Sequence, residues 1–118
     1  MKAMRLLGIK GEDLAVTFLK RKGYRIRSRN YKTPLGEIDI VAEDGETLVF
    51  VEVKTRADNS FGLPFEAVDY RKREKLKKVA LYYLKNCCKK DLPSRFDVLS
   101  IQAGGDKSKI EHIIDAFE

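Results

Sequence analysis

Two segments rich in Ile and Val, Glu37 to Glu43 and Thr47 to Thr55, flank the dipeptide Asp44-Gly45. Asp-Gly suits the tight turn whose backbone follows the twist of paired strands, so an antiparallel hairpin is expected here. The hairpin constrains the chain further because it carries charge where a structural strand prefers Val, Ile or Thr. In Glu37-Ile38-Asp39-Ile40 a period of two sends Glu37 and Asp39 to one face and Ile38 and Ile40 to the other. In Val49-Phe50-Val51-Glu52-Val53-Lys54 the same rule groups Glu52 with Lys54 and sets Val49, Val51 and Val53 opposite.

The flanking sequence supplies helices and further strands. From Gly8 to Lys22 the residues Leu14, Ala15, Phe18 and Leu19 recur at helical spacing, and Lys20, Arg21 and Lys22 suit the negative end of the helix dipole before Gly23. Tyr24 to Lys32 alternates Tyr24 and Ile26 with Arg25, Arg27 and Arg29, which predicts a strand with a basic face, and Thr33-Pro34-Leu35-Gly36 reads as a turn. Pro64 precedes a second helical segment with Leu76, Val79, Ala80, Tyr83 and Leu84 on one side. Its other side carries Arg71, Lys72, Arg73, Lys75, Lys77 and Lys78. Arg95 to Gln102 reads as a buried strand, Ala103 to Asp106 as a turn and Lys109 to Asp115 as a last strand. The order is helix, three strands, helix, two strands. With 118 residues and no internal repeat or linker, residues 1–118 are expected to form one domain.

Facing strands of the hairpin could bring Asp39 near Glu52. Two carboxylates at such range repel unless a proton or cation lies between them, and a divalent metal answers that need. Mg²⁺ or Mn²⁺ suits an oxygen-only site, whereas the single His112 disfavours an imidazole-rich one. Lys54 could orient a water nucleophile or stabilise the negative charge that develops on a phosphodiester. The competing reading is a solvated ladder of ion pairs on one sheet face, nearly neutral in energy.

Charge points toward a polyanionic partner. Lys and Arg outnumber Asp and Glu by 24 to 18, for a net charge of +6 and a pI near 9.3, which favours nucleic acid; solubility alone would also be served. The run from Arg71 to Lys78 is by itself the solvated side of a helix, and only together with Arg25, Arg27 and Arg29 does it suggest a surface that tracks phosphates. The cysteines, Cys87 and Cys88, are adjacent and fit neither a mutual disulfide nor a zinc cluster, so free thiols in the cytoplasm are expected, one packed as a small hydrophobe. No apolar run approaches a membrane span, and no export signal is expected at the N-terminus.

Glu37-Ile-Asp39, a 12-residue gap to Glu52-Val-Lys54, and Glu12 upstream in a helix resemble the motif of PD-(D/E)XK nucleases. More closely, Gly11-Glu12, Asn30-Tyr31, Gly36-Glu37-Ile38-Asp39, Phe50-Val51-Glu52-Val53-Lys54-Thr55-Arg56, Phe61-Gly62 and Arg95-Phe96-Asp97-Val98 resemble the uncharacterised YraN-like bacterial family. That family is similar to archaeal Holliday-junction resolvases. The resemblance implies a restriction-endonuclease-like α/β fold, a central mixed five-stranded sheet flanked by helices. It further implies an acidic metal site in which Asp39 matches the first acid, Glu52 the second, Lys54 the lysine and Glu12 the helical acid. Ile38 stands where the motif's proline is usual.

The activity so implied is a Mg²⁺- or Mn²⁺-dependent endonuclease acting on DNA, branched DNA included, with Asp39, Glu52 and Glu12 as metal ligands and Lys54 in catalysis. The alternative is a nucleic-acid-binding module without cleavage, and a homodimer would suit a two-fold symmetric substrate. Glu37 is placed just outside the metal shell, in competition with a strand-turn cap or an arginine partner. Thr55 and Arg56 are candidates for phosphate contacts, although an exposed strand end would carry them too. Glu12 has a structural reading as well, since carboxylates are favoured near a helix start. Phe61-Gly62-Leu63-Pro64 reads as a tie-down of a loop rather than a flap, and Asp97 as a strand residue paired with a nearby base.

Overall fold

The Asp-Gly hairpin forms where the sequence places it. The computed structural model describes residues 2–56, 69–88, 92–102 and 109–117, with side chains from Gly11 onward except that of Arg56. Its elements are α1 (Lys2–Arg21), β1 (Arg25–Thr33), β2 (Gly36–Asp44), β3 (Thr47–Arg56), α2 (Tyr70–Cys87), β4 (Ser94–Gln102) and β5 (Lys109–Phe117). β2 and β3 pair antiparallel from Asp44↔Thr47 to Ile40↔Val51, and Gly45 takes the positive φ of 61° that the turn requires.

The five strands lie in the order β1-β2-β3-β4-β5. β3 and β4 run parallel and every other neighbouring pair runs antiparallel, so the sheet is mixed. A parallel pair cannot be closed by a tight turn. The chain between β3 and β4 contains α2, which returns it to the same end of the sheet. This is the restriction-endonuclease-like α/β architecture that the motif implies.

Alternation along β3 builds a core on each face. Leu48 and Phe50 pack with Ile38, Val41 and Val98 against Leu76, Val79, Ala80 and Tyr83 of α2. Val49 and Val51 pack with Ile40, Ala42, Leu99 and Ile101 against Ala15 and Leu19 of α1. Full burial of each such Leu, Ile, Val or Phe contributes roughly 1.5–3 kcal/mol, so two-sided burial of β3 anchors the sheet. Asp69 caps α2 by accepting the Lys72 amide at 2.9 Å, a contribution of about 1 kcal/mol. Thr33 closes the β1–β2 turn, its Oγ1 accepting the Leu35 amide at 3.0 Å and donating to the Gly36 carbonyl at 2.9 Å.

Several expectations need correction. α1 begins at Lys2 rather than Gly8 and runs through both Gly8 and Gly11. The arginines of β1 do not share a face, because the β1–β2 register shifts between Ile26 and Ser28. Arg27 lies 5.7 Å from the Tyr83 ring and 3.2 Å from Glu43 on the α2 side, whereas Arg29 reaches Asp13 of α1 at 2.7 Å; Arg25 is exposed. Nor do Ile38 and Ile40 share a face, since they belong to cores on opposite sides of the sheet. Arg29↔Ile40 and Tyr31↔Ile38 are paired, but Asn30, at φ 53°, and Asp39 leave the ladder between them. That irregularity resets the alternation at the acid.

Cys87 is exposed and Cys88 packs partly against the α2 core, both as free thiols. Phe61 to Pro64 and Ala103 to Asp106 lie outside the described residues. Among the described residues no helix is long and apolar enough to cross a membrane.

Candidate metal centre

Phe50 points at α2, so the next two residues of its parity, Glu52 and Lys54, emerge on the same side. Glu52 is only 7% exposed. Lys54 Nζ lies 3.6 Å from Glu52 Oε1, and Lys72 Nζ, reaching across from the first turn of α2, bonds the same oxygen. The sequence placed Lys72 on the solvated side of its helix. One position in a run of basic residues carries no distinguishing pattern, so only the three-dimensional crossing of α2 over β3 identifies it.

Asp39 enters from β2. Continuing the register Ile40↔Val51 by one step would set Asp39 opposite Glu52, but the ladder stops before that pair. Asp39 Oδ2 instead accepts the Val53 amide at 2.8 Å, so a side-chain carboxyl takes the place of a strand carbonyl. Its carboxyl also meets that of Glu52. Burial, and after it the Glu52 charge, push the Asp39 carboxyl up from 3.8 to about 7, against the opposing pull of the Val53 N–H. The Lys54 amine is held below the ordinary lysine range, first by burial and then by Lys72 beside it. The structure therefore brings together Asp39, Glu52 and Lys54, and adds Lys72.

The remaining candidates stand around this group. Glu12 sits well inside α1 rather than near its start, so the helix-dipole reading of its position does not hold. Its Oε2 accepts the Asn30 side-chain amide at 3.2 Å, and its charge is a minor contributor at Asp39. Glu37 is exposed and lines a groove beside α2 together with Lys32, Lys72 and Lys75. Thr55 is half-buried against α1, where a Cβ on Gly11 would collide with its hydroxyl oxygen. The close approach of helix and strand at this point is what a glycine permits. Arg56 ends β3, and its side chain lies outside the described residues.

Two neighbouring carboxyls with water and phosphate oxygens make a donor set that Mg²⁺ or Mn²⁺ accepts. The upward shift at Asp39 comes first from burial and only then from the Glu52 charge. Among the described residues no group of three or more acidic, histidine or cysteine side chains is placed to hold a metal ion, and Asp39 and Glu52 are the two carboxyls that meet there.

A second polar cluster lies on the α1 side of the sheet. Asp97 is fully buried and accepts from Arg95 Nε at 3.0 Å, from the Asp115 amide at 3.0 Å and, at 2.7 Å, pairs with His112 Nε2. Arg95 also bonds Asp44 at 3.1 Å and the Tyr24 hydroxyl at 2.7 Å. The expected pairing of Asp97 with a nearby base is found, with two partners rather than one.

The chain matches the family model described as Uncharacterised protein family UPF0102 over residues 11–101, a span that includes Glu12, Asp39, Glu52, Lys54, Lys72 and Asp97. A UPF0102 protein of Thermodesulfovibrio yellowstonii is 52% identical over 111 residues, covering 94% of this chain and 95% of that protein. Another, of Syntrophomonas wolfei, is 50% identical over 113 residues, covering 96% and 98%; one of Geobacter metallireducens is 51% identical over 112 residues, covering 95% and 92%. On this similarity, which spans nearly the whole length of each relative, the chain belongs to the UPF0102 family, as its YraN-like motifs led one to expect.

Proposed function

We propose that this protein is a divalent-metal-dependent nuclease that hydrolyses phosphodiester bonds in DNA, branched DNA included. The observation that carries the reading is the juxtaposition of Asp39 and Glu52 at the end of a broken ladder, with Lys54 3.6 Å from Glu52. Asp39 and Glu52 would hold Mg²⁺ or Mn²⁺. When bound, such an ion polarises a phosphoryl oxygen and lowers the pKa of a coordinated water. The Val53 amide fixes the Asp39 carboxyl, so the pair needs little rearrangement on binding. Lys54, held on the same strand face as Glu52, would place its ammonium against the charge that builds on the phosphate oxygens. Glu12, whose charge reaches Asp39 and whose carboxyl is bonded to Asn30, would add a third ligand from α1, and Glu37 would stand outside the metal shell, in the groove beside α2.

The test is cleavage of linear and branched DNA by purified protein in Mg²⁺ or Mn²⁺. Asp39→Ala, Glu52→Ala and Lys54→Ala should each lower the rate by about a hundredfold or more, the scale typical for loss of a group acting on the transition state. Unchanged cleavage by the Asp39 and Glu52 variants would refute the mechanism.

A second reading has an observation in its favour: Lys54 and Lys72 already neutralise Glu52 without any metal. On that reading the domain binds nucleic acid and does not cut it. Salt-sensitive binding with no cleavage of linear, branched or RNA substrates in any divalent metal would select it.

A further inference from the structure

The two ammonium groups on Glu52 Oε1 are not equivalent. Lys54 lies two residues away on the same strand face, so the strand itself keeps it next to Glu52. Lys72 comes from a separate element, on a stem whose side chain is 36% exposed, and it also lines an open groove of about 650 Å³ between the β1–β2 turn and α2. Lys32, Arg71 and Lys75 line the same groove, and none of the three forms an ion pair among the described residues. Two acids temper them. Asp69 is engaged in capping α2, and Glu37 is exposed. The groove thus holds a surplus of cations beside the candidate metal centre, which suits the phosphates of a polynucleotide strand.

A nearly buried carboxylate needs a compensating charge at all times. An ammonium and a divalent cation on one carboxylate repel each other, so a cation arriving at Glu52 must work against the bond to Lys72. Resting on the nuclease reading above, we infer that Lys72 is a displaceable counter-ion, which neutralises Glu52 until a divalent cation replaces it and then turns into the groove to join Lys32, Arg71 and Lys75 on the phosphates of a bound strand. Cation and nucleic acid then favour each other's binding by the same factor, as linkage demands.

The experiment is calorimetric titration of Mn²⁺ into the wild-type protein, Lys72→Met, Lys72→Gln and Asp39→Ala, without nucleic acid. Both Lys72 variants should bind Mn²⁺ more tightly than wild type by about three- to tenfold, as expected for removing one partly exposed competing ion pair. In Ca²⁺, fluorescence anisotropy should show the same variants binding an oligothymidylate probe more weakly than wild type by a similar factor. Lys75→Met should weaken probe binding and leave Mn²⁺ affinity unchanged. If wild type binds Mn²⁺, Asp39→Ala does not, and the Lys72 variants bind it equally or less well, the counter-ion role is overturned and the metal centre stands. A gain confined to one Lys72 variant also overturns that role, since charge removal is common to both. Tighter Mn²⁺ binding with unchanged probe binding removes the groove half of the proposal. No Mn²⁺ binding by wild type or by either Lys72 variant overturns both readings together.

Discussion

His112 Nε2 lies 2.7 Å from Asp97 Oδ2 at a place in the sheet where their side chains are 4% and 0% exposed. Arg95 and the Asp115 amide complete the shell around the same carboxylate, and Phe18 and Tyr24 meet the His112 ring edge-on. The cluster joins the end of α1 to the starts of β1 and β4, the tip of the hairpin and β5.

Asp97→Ala takes the carboxylate from the nearly buried His112 side chain and leaves the half-buried Arg95 only Asp44 and Tyr24, so it should lower unfolding free energy by about 3 kcal/mol in a urea melt. Burial would raise the Asp97 carboxyl, but His112, Arg95 and the Asp115 amide outweigh it and hold the group below the ordinary carboxylate range. A depressed folded value means that this stability is present above the unfolded value of 3.8 and lost as pH falls through the folded one. Asp97→Asn should therefore flatten the loss of stability below about pH 4. An acid limb as steep as that of wild type would show that Asp97 is not its source.

Asp39 has the opposite sign. Its carboxyl rises from 3.8 to about 7 on folding, so the contribution that is complete below 3.8 is lost as pH climbs toward 7. Asp39→Asn should raise stability at pH 8 by about 1–2 kcal/mol, and Mn²⁺ should raise the Tm of wild type more at pH 8 than at pH 5.5, roughly 4–8 °C for such a gain. Thermal melts of the two proteins with and without metal check both. A Mn²⁺ effect that is equal at the two pH values would contradict the assignment.

Replacing a glycine inside a helix by alanine usually gains about 0.5–1 kcal/mol. At Gly11 the change should cost stability instead, because the new Cβ meets Thr55 Oγ1. Gly11→Ala combined with Thr55→Ala should recover most of the loss. A double-mutant cycle with no coupling would mean that α1 and β3 are not apposed as described.

Asn30 holds a φ of 53°, a region that asparagine tolerates and a β-branched residue does not. Asn30→Val should cost about 1–2 kcal/mol, while Asn30→Gly should stay close to wild type in the same denaturant titration. Equal losses for the two would move the cause from the backbone to the Glu12 hydrogen bond.

Much of the fold was legible because it rests on local rules. Asp44-Gly45 announced the hairpin, and the separation of Glu52 and Lys54 from Val49 and Val51 followed from strand alternation and holds. What misled the reading was the assumption that alternation is unbroken. The shift between Ile26 and Ser28 divided the arginines of β1, and the departure of Asn30 and Asp39 from their ladder put Ile38 and Ile40 on opposite faces. An asparagine amid strand residues was the available cue, since it is the residue most at ease with positive φ after glycine. The place of Lys72 at Glu52, and the identity of His112 as a base on Asp97, were beyond reach for another reason. Each depends on two elements meeting, α2 over β3 or β4 beside β5, and nothing within either segment records the other.

The bond from the Val53 amide to Asp39 makes one peptide group a reporter on the whole centre. An amide held by a carboxylate senses that carboxylate's charge, whereas an amide in a regular ladder meets a carbonyl. The chemical shift and solvent exchange of the Val53 proton should track protonation of Asp39 and capture of a cation alike. A single resonance in an otherwise quiet strand could thus follow the state of the site with no label, no substrate and no turnover.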